Sequence, residues 1–253
     1  MNAINFQMAT DIEMGVPEMS SLDSEALTAW ETTLMRFGEK LAPTIMDEGQ
    51  AHPDGMFLEF AVAPAHSAAD MLLKVETMRH RLEAITGYTL HGYDFVRMPE
   101  ALTEDSHPFL YEMATTMGCS PDMTAGEYRS IPHWIRFNPY KEAGMHFHLD
   151  LPQRVLDTFS EEVDWRTGVT QMTESDRYAE GFVHELSRAT RLFHVGPQGE
   201  YTPWYRTPGT YRLKPYGIEY RSIGSAVLND PERLAMLCDT VYRFTRDYWR
   251  THA

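Results

Sequence analysis

The stretch AGMHFHLDLP, residues 143–152, alternates apolar and polar side chains with the two-residue period of a β-strand. Its apolar positions are Met145, Phe147, Leu149 and Leu151, and its polar positions are His146, His148 and Asp150. Two imidazoles on one strand face can reach the same metal ion. A strand with one face in water shows the same alternation. The strand alone therefore fits both a metal-binding face and a solvated face, and only its neighbours in the fold can decide between the two.

Four other segments repeat this alternation: TDIEM (10–14), FLEFAVA (57–63), TYRLKP (210–215) and GIEYRSI (217–223). Their ionisable residues fall on the face opposite the apolar ones: Asp11, Glu13, Glu59, Arg212, Lys214, Glu219 and Arg221. An antiparallel sheet with one solvated face would also show such strands. If the five polar faces converge, they form a concave site with carboxylates and histidines for cations and a basic cluster for phosphate.

Apolar positions three and four residues apart predict helices between these strands. The helical segments are 67–87, 176–193 and 229–249, with a further helix at 23–38. Ser67 and Asp70 resemble a capping box, and Asp230 before Pro231 is typical of a helix start. The segments 41–56 and 99–132 are rich in turn residues, which predicts loops. We therefore expect an α+β fold in one domain, residues 1–253.

The composition narrows the range of partners. The chain has 253 residues and a formal net charge of −15, which argues against binding to a nucleic-acid backbone or an anionic membrane surface. The two cysteines share no metal-type spacing, which indicates a reducing compartment. The first residues lack the pattern of a signal peptide, and no apolar run approaches the ~20 residues of a membrane span. We expect a soluble, cytoplasmic protein.

The sequence His-x-His-x-Asp also occurs in zinc hydrolases, so His146, His148 and Asp150 form an alternative zinc site. Leu151 stands where the loop form of that motif has another histidine, and no second histidine cluster provides the missing ligands. Glu59 lies in a short apolar strand flanked by alanines. A carboxylate in such a strand is expected to sit in a pocket and to need a partner.

The block WYRTPGTYRLKPYGIEYRSIG, residues 204–224, concentrates cations in an acidic chain. Arg206, Arg212, Lys214 and Arg221 bracket Glu219 and are interleaved with aromatic residues. A solvated hairpin with salt bridges is one interpretation, and phosphate recognition is the other, because arginine suits bidentate binding of phosphate. The chain has neither the glycine-lysine phosphate loop nor the G-x-G-x-x-G dinucleotide motif. A bound nucleotide would therefore need a different architecture.

Five segments, in order along the chain, carry a resemblance to a known family. They are ATDIE (9–13), FLEFAVAPA (57–65), GCSPD (118–122), AGMHFH (143–148) and YRTPGTYRLKPYGIEYRS (205–222). GMHFH looks like the G-x-H-x-H strand of glutamine synthetases, and GIEYR resembles their E-x-R strand. The whole set is similar to the phage-type amidoligases, carboxylate–amine ligases of the glutamine synthetase/glutamate–cysteine ligase fold. Ala9 and Ile12 depart from the glycine and proline of that family's first motif.

The resemblance implies a curved, mostly antiparallel sheet around an ATP site, with helices on the outer face and two or more Mg²⁺ or Mn²⁺ ions. By this likeness the metal ligands would be Glu13, Glu59, His146 and Glu219. The phosphates and the transferred phosphoryl group would be held by Arg206, Arg212, Lys214 and Arg221, of which Arg206 and Arg221 would be catalytic. His148 would face phosphate or metal, and Asp11 is a further candidate.

The implied reaction joins a carboxylate substrate to an amine substrate. ATP phosphorylates the carboxylate, and the amine then displaces phosphate from the acyl phosphate to give an amide. No protein nucleophile is required, and Cys119 is better explained as a structural thiol. The alternatives are the zinc hydrolase and a non-catalytic phage structural or interaction protein on the ligase fold. The resemblance also places the protein in the cytoplasm of a bacterial host during phage infection.

Overall fold

The computed structural model describes residues 6–38, 44–115, 122–124, 127–129, 138–163, 170–194 and 207–252. Within these ranges the α-helices are Ser24–Gly38 (α1), Ala68–Thr86 (α2), Pro108–Thr115 (α3), Gln153–Leu156 (α4), Tyr178–Ala189 (α5) and Pro231–His252 (α6). The first strands are Met8–Gly15 (β1), Thr44–Met46 (β2), Gly49–Asp54 (β3), Phe57–Ala65 (β4), His91–Gly92 (β5), Phe95–Arg97 (β6) and Asp122–Thr124 (β7). The others are Glu127–Arg129 (β8), Tyr140–Glu142 (β9), Gly144–Asp150 (β10), Phe159–Val163 (β11), Thr170–Glu174 (β12), Thr210–Lys214 (β13) and Gly217–Gly224 (β14).

All five strands predicted from the alternation form, and they lie side by side. The main sheet has the order β2-β3-β4-β1-β10-β14-β13-β7-β8, with β5 also paired to β1, and its strand pairs are antiparallel. Two further sheets of two strands each, β6-β9 and β11-β12, stand apart from it. The predicted α+β class with a mostly antiparallel sheet is therefore confirmed.

One face of the main sheet is the core. Its central apolar residues are buried: Ile12, Leu58, Phe60, Phe147, Leu149, Ile218 and Tyr220. α2 packs on β4 and against α6, while α5 packs on α6 and β14. The helices thus cover this apolar face, as predicted, and their stripes join the same hydrophobic cluster. The opposite face carries the ionisable side chains.

The predicted helix boundaries follow from capping. The Ser67 hydroxyl accepts a 3.0 Å hydrogen bond from the Asp70 amide, and Gly87 ends α2 in the left-handed conformation at φ 76°. The Asp230 carboxylate accepts from the amides of the second and third residues of α6. These caps satisfy backbone groups that have no partner within the helix.

The prediction of a loop at 41–56 was wrong for its described part. β2 and β3 form there, and β3 continues into β4 through a two-residue turn in which Asp54 pairs with Phe57. Gly55 takes the first central position of the turn at φ 58°, a conformation that favours glycine. The Asp54-Gly55 pair favours a hairpin turn, whereas the two prolines of the segment favour a loop. The loop prediction followed the prolines. The segment 99–132, also predicted to be a loop, contains the helix α3.

The pairing of β10 with β14 contains a bulge. Met145 pairs with Ile223 and Phe147 pairs with Tyr220, so the intervening His146 faces two residues, Arg221 and Ser222. The extra residue changes which face the following side chains take. Arg221 stays on the polar face, while Ile223 returns to the core and is fully buried.

No helix in the described part of the chain is both long and apolar enough to cross a membrane.

Gly92 is a point where two backbones meet. Its N–H donates to the Asn229 side chain and its carbonyl accepts from it, and a Cβ at this position would fall 1.8 Å from the Ser225 carbonyl oxygen. We expect Gly92→Ala to lower the free energy of unfolding by about 2 kcal/mol because the two backbones have to separate. Urea denaturation measures this change.

Gly181 is the matched control, since it is exposed within α5 and a Cβ there would meet only the Tyr248 hydroxyl, at 3.8 Å. Gly181→Ala should stabilise the protein by about 0.5–1 kcal/mol. Equal effects of the two substitutions would contradict the close approach at Gly92.

Candidate functional site

The polar faces of β4, β1, β10, β14 and β13 meet on one side of the sheet. Side chains directly opposite each other in antiparallel strands point to the same side. The register pairs Glu13 with Glu59, Asp11 with His146, His148 with Glu219, and Arg212 with Glu219. The ionisable residues that the alternation singled out therefore form one continuous surface across five neighbouring strands.

Carboxylates form one half of this surface. Glu13, Asp54 and Glu59 each bring a carboxylate oxygen to within 4.8 Å of those of the other two. Glu13 is 5% exposed, and its Oε2 accepts a 2.8 Å hydrogen bond from the Gly144 amide at the start of β10. Asp54, at the end of β3, was missed by sequence reasoning because its segment was predicted to be a loop. We refer to Glu13, Asp54 and Glu59 as the acidic cluster.

Glu59 shows the electrostatic consequence of this clustering. Burial raises the pKa of its carboxyl well above the ordinary value, and the nearby carboxylates of Asp54, Glu13 and Asp11 raise it further. Like charges at this spacing favour the protonated form unless a cation neutralises them. The acidic cluster therefore has the electrostatics of a cation site, with oxygen ligands that suit a hard divalent ion such as Mg²⁺ or Mn²⁺.

Cations gathered around a buried carboxylate form the other half. Glu219 is 3% exposed, and Lys214 Nζ lies 2.8 Å from its Oε2. Its Oε1 contacts Arg221 and lies 3.8 Å from Arg212 Nη1. Burial alone would raise the pKa of Glu219, but the cations, led by Arg221, hold that pKa well below its ordinary value. We refer to Arg212, Lys214 and Arg221 as the basic cluster.

His146 lies between the two halves. It is 3% exposed, and its Nδ1 is 3.5 Å from both Glu219 Oε1 and Arg221 Nη1. The resemblance implied that His146 and Glu219 ligate metal together with Glu13 and Glu59. In this structure His146 and Glu219 contact each other and Arg221, while Glu13 and Glu59 group with Asp54.

His148 is held by both ring nitrogens. Its Nε2 lies 2.6 Å from Asp11 Oδ2, and its Nδ1 is hydrogen-bonded to the Tyr216 hydroxyl. Burial raises the pKa of Tyr216, as do the carboxylates of Glu219, Asp11 and Asp150. Tyr216 was not singled out from the sequence, although it directly precedes the GIEYR motif. Of the remaining site predictions, Arg206 lies outside the described residues.

The alternative zinc site finds no geometric counterpart. Among the residues that the structure describes, His146, His148 and Asp150 do not bring three ligand atoms within 4.8 Å of one another. Asp150 lines a cavity beside α6, together with Phe6 and Trp249.

The acidic and basic clusters are near neighbours. Only β10 separates β1 from β14, so by ordinary strand spacing the two strands lie about 10 Å apart. Along the strands, Arg221 is the member of the basic cluster nearest to Glu13, because Asp11 and Arg221 both face His146 and Glu13 follows Asp11 by two residues. Carboxylates suit the metal ion, and arginine and lysine suit phosphate oxygens.

No protein-family model matches the chain, and no curated protein sequence matches it. Among solved structures, the chain is similar to the crystal structure of the complex between the prokaryotic ubiquitin-like protein Pup and its ligase PafA. The sequence identity is 10% and the TM-score 0.31, over 96% of this chain and 48% of the matched chain. The chain thus spans about half the length of the protein it matches. A likeness this weak does not bear on the fold or the chemistry, which follow from strand register and side-chain contacts.

The raised pKa of Glu59 predicts how stability depends on pH. A carboxyl whose pKa is higher in the folded state stabilises the fold at low pH, and this contribution is lost as the pH rises through the folded-state value. In the presence of a chelator, Glu59→Gln should therefore raise the stability at pH 8 by about 1 kcal/mol and change it little at pH 4. Urea unfolding at both pH values measures the difference, and an equal effect at both would contradict the interpretation.

The Glu219 carboxylate balances the positive charge of the basic cluster, so its removal should lower the stability of the fold. We expect Glu219→Gln to lower the free energy of unfolding at neutral pH by roughly 3–5 kcal/mol, because the basic cluster loses its counter-charge. The depressed pKa means that the carboxylate stabilises the fold above pH ~4.5 and that this stabilisation is lost as the pH falls through the folded-state value. Glu161→Gln, at an exposed position of β11, is the control and should change stability by less than ~0.5 kcal/mol.

Proposed function

We propose that the chain is an ATP-dependent ligase that joins a carboxylate to an amine and releases ADP and phosphate. The observation that carries this proposal is the meeting of an acidic and a basic cluster on one face of the sheet. Enzymes that transfer phosphoryl groups combine metal ions, held by acidic side chains, with basic side chains, because catalysis depends on positioning and on neutralising the charge of the moving group.

The acidic cluster would hold Mg²⁺ or Mn²⁺. Glu13, Asp54 and Glu59 supply oxygen ligands, and a bound cation would offset the repulsion by which the neighbouring carboxylates raise the pKa of Glu59. A bound divalent ion supplies charge neutralisation for phosphate oxygens. The resemblance implies two or more ions, with His146 and Glu219 as further ligands. That larger ligand set would need the contact between Glu219 and the basic cluster to open.

The basic cluster would hold the phosphates. Arg221 is 2% exposed and the Arg212 side chain is 15% exposed, so both guanidinium groups are shielded from water and held near Glu219. Shielding strengthens their attraction for phosphate oxygens, and prior orientation lowers the entropic cost of binding. Arg206 would join them according to the resemblance.

The reaction would proceed without a protein nucleophile. A carboxylate oxygen of the acid attacks the γ-phosphorus of ATP, the bond to the β-phosphate oxygen breaks, and ADP leaves. The amine nitrogen then attacks the acyl carbon, loses a proton and expels phosphate. The same residues that resemble amidoligase motifs, among them Glu13, Glu59 and Arg212, lie on this face, which supports the assignment.

The proposed partners are therefore small or macromolecular acids and amines. The acidic chain makes a nucleic-acid backbone or an anionic membrane surface an unfavourable partner. We further propose a cytoplasmic location, where ATP and Mg²⁺ are both abundant.

ATP binding measured by calorimetry with Mg²⁺ tests the proposal. We expect binding that disappears with a chelator, and a roughly 10- to 100-fold weaker affinity in Arg212→Ala, since a hydrogen bond to a charged group contributes about 1.5–3 kcal/mol. Arg243→Ala, on the exposed surface of α6, is the matched control and should bind as the wild type does. ADP release should require an acid and an amine together, assayed with a substrate panel and product masses. Absence of Mg²⁺-dependent nucleotide binding would refute the assignment.

A further inference from the structure

Three residues outside the polar face of the sheet form a hydrogen-bonded chain. The Ser24 hydroxyl lies 3.1 Å from His107 Nε2, and His107 Nδ1 lies 3.4 Å from Glu31 Oε2. The order of the groups is hydroxyl, imidazole and carboxylate, with the two ring nitrogens facing opposite partners. This is the order that activates a serine nucleophile in hydrolases of unrelated folds.

The backbone fixes this geometry through two helices. Ser24 is the first residue of α1, and Glu31 follows seven residues later, two turns along the same helix face. His107 directly precedes Pro108, the first residue of α3, and its imidazole reaches back to α1. The start of α3 therefore holds the side chain of His107 against α1, between Ser24 and Glu31.

Burial and a second hydrogen bond orient the imidazole. His107 is 1% exposed, the Glu31 side chain is 13% exposed, and Glu31 Oε1 accepts a 2.9 Å hydrogen bond from the Leu110 amide. A carboxylate fixed in this way favours the imidazole tautomer with its proton on Nδ1. The Nε2 lone pair then faces the Ser24 hydroxyl and can accept its proton. Ser24 itself is exposed, so a substrate can approach it.

Donors for a developing oxyanion lie beside the serine. The first amides of an α-helix have no acceptor within the helix. Asp23 takes two of them, since its carboxylate accepts from the Ala26 amide and its carbonyl accepts from the Leu27 amide. Among the described residues, the amides of Ser24 and Glu25 donate to no acceptor. Both lie at the positive end of the helix dipole, where negative charge is stabilised.

We propose that Ser24, His107 and Glu31 form a second active site that hydrolyses small, activated esters. Ser24 Oγ attacks the acyl carbon while its proton passes to His107 Nε2, and the alcohol leaves with that proton as the ester bond breaks. Water, deprotonated by the same nitrogen, then attacks the acyl carbon, and the acid is released as the bond to Ser24 breaks and the proton passes from His107 Nε2 back to Ser24 Oγ. Ser24 and His107 are the catalytic residues, and Glu31 positions the imidazole.

The exposed setting of Ser24 determines the substrate class. An exposed serine at a helix start accommodates small acyl groups with good leaving groups and provides little binding energy for larger ones. The reaction uses neither ATP nor a metal ion and therefore stands independently of the ligase assignment.

A fluorophosphonate probe, from which the serine displaces fluoride, tests the site on the whole chain. We expect mass spectrometry to find the adduct on Ser24, and p-nitrophenyl acetate hydrolysis to fall to background in Ser24→Ala. Ser21→Ala is the matched control, because Ser21 is exposed three residues earlier and its hydroxyl donates to the Glu18 carbonyl rather than to a histidine. This variant should label and hydrolyse as the wild type does.

The substitution Glu31→Gln tests whether Glu31 positions the imidazole of His107 or only stabilises the fold. It keeps the side-chain shape, so a variant with wild-type circular dichroism should lose roughly 100-fold in kcat with little change in KM. Glu31→Asp should recover part of that rate. Labelling at another residue, an unlabelled wild type, or esterase activity that survives Ser24→Ala would each overturn the proposal. Nucleotide binding should be unaffected by Ser24→Ala, so the two assignments fail independently.

Discussion

The two faces of the main sheet cannot be exchanged, and the rest of the molecule depends on that constraint. Successive side chains of a strand point to opposite sides, so a one-residue slip of β1 or β10 would move Ile12 or Phe147 from the core to the face that carries the ionisable side chains. Each such side chain contributes about 1.5–3 kcal/mol when fully buried. By comparison, two like charges 4.8 Å apart repel by about 3 kcal/mol at an effective dielectric constant of 20. Burial of the apolar face is therefore sufficient to hold an unfavourable charge cluster on the other face.

The charges on that face are sorted rather than mixed. The acidic cluster spans β1, β3 and β4, while the basic cluster surrounds Glu219 on β13 and β14. The two carboxyl groups with opposite pKa shifts, Glu59 and Glu219, mark the two halves. A surface selected only for solubility would intersperse both signs, since this lowers the electrostatic energy. Separating the acidic from the basic side chains lowers the stability of the fold in the absence of ligand. Such a loss is typical of a site whose ligand carries the complementary charges.

Much of this arrangement could be predicted from the sequence, because it depends on local periodicity. The alternation in segments such as MHFHLDL and FLEFAVA placed the strands and chose their polar faces, and capping residues such as Ser67 placed the helices. Asp54 was missed because Pro53 obscured a hairpin whose turn glycine was visible in the sequence. The bulge at His146 and the contact of His107 with α1 depend on pairings between distant segments. Neither leaves a local pattern, so neither could be predicted.

The bulge in β14 also divides that strand into two stretches of opposite phase. Before it, Glu219 and Arg221 follow the polar face, and after it Ile223 follows the core. The extra residue resets the alternation, so Tyr220 and Ile223 both face the core although they are three residues apart, while Arg221 between them faces the site. A single run of eight residues can in this way present Glu219 and Arg221 to the site and still bury Ile218, Tyr220 and Ile223 in the core.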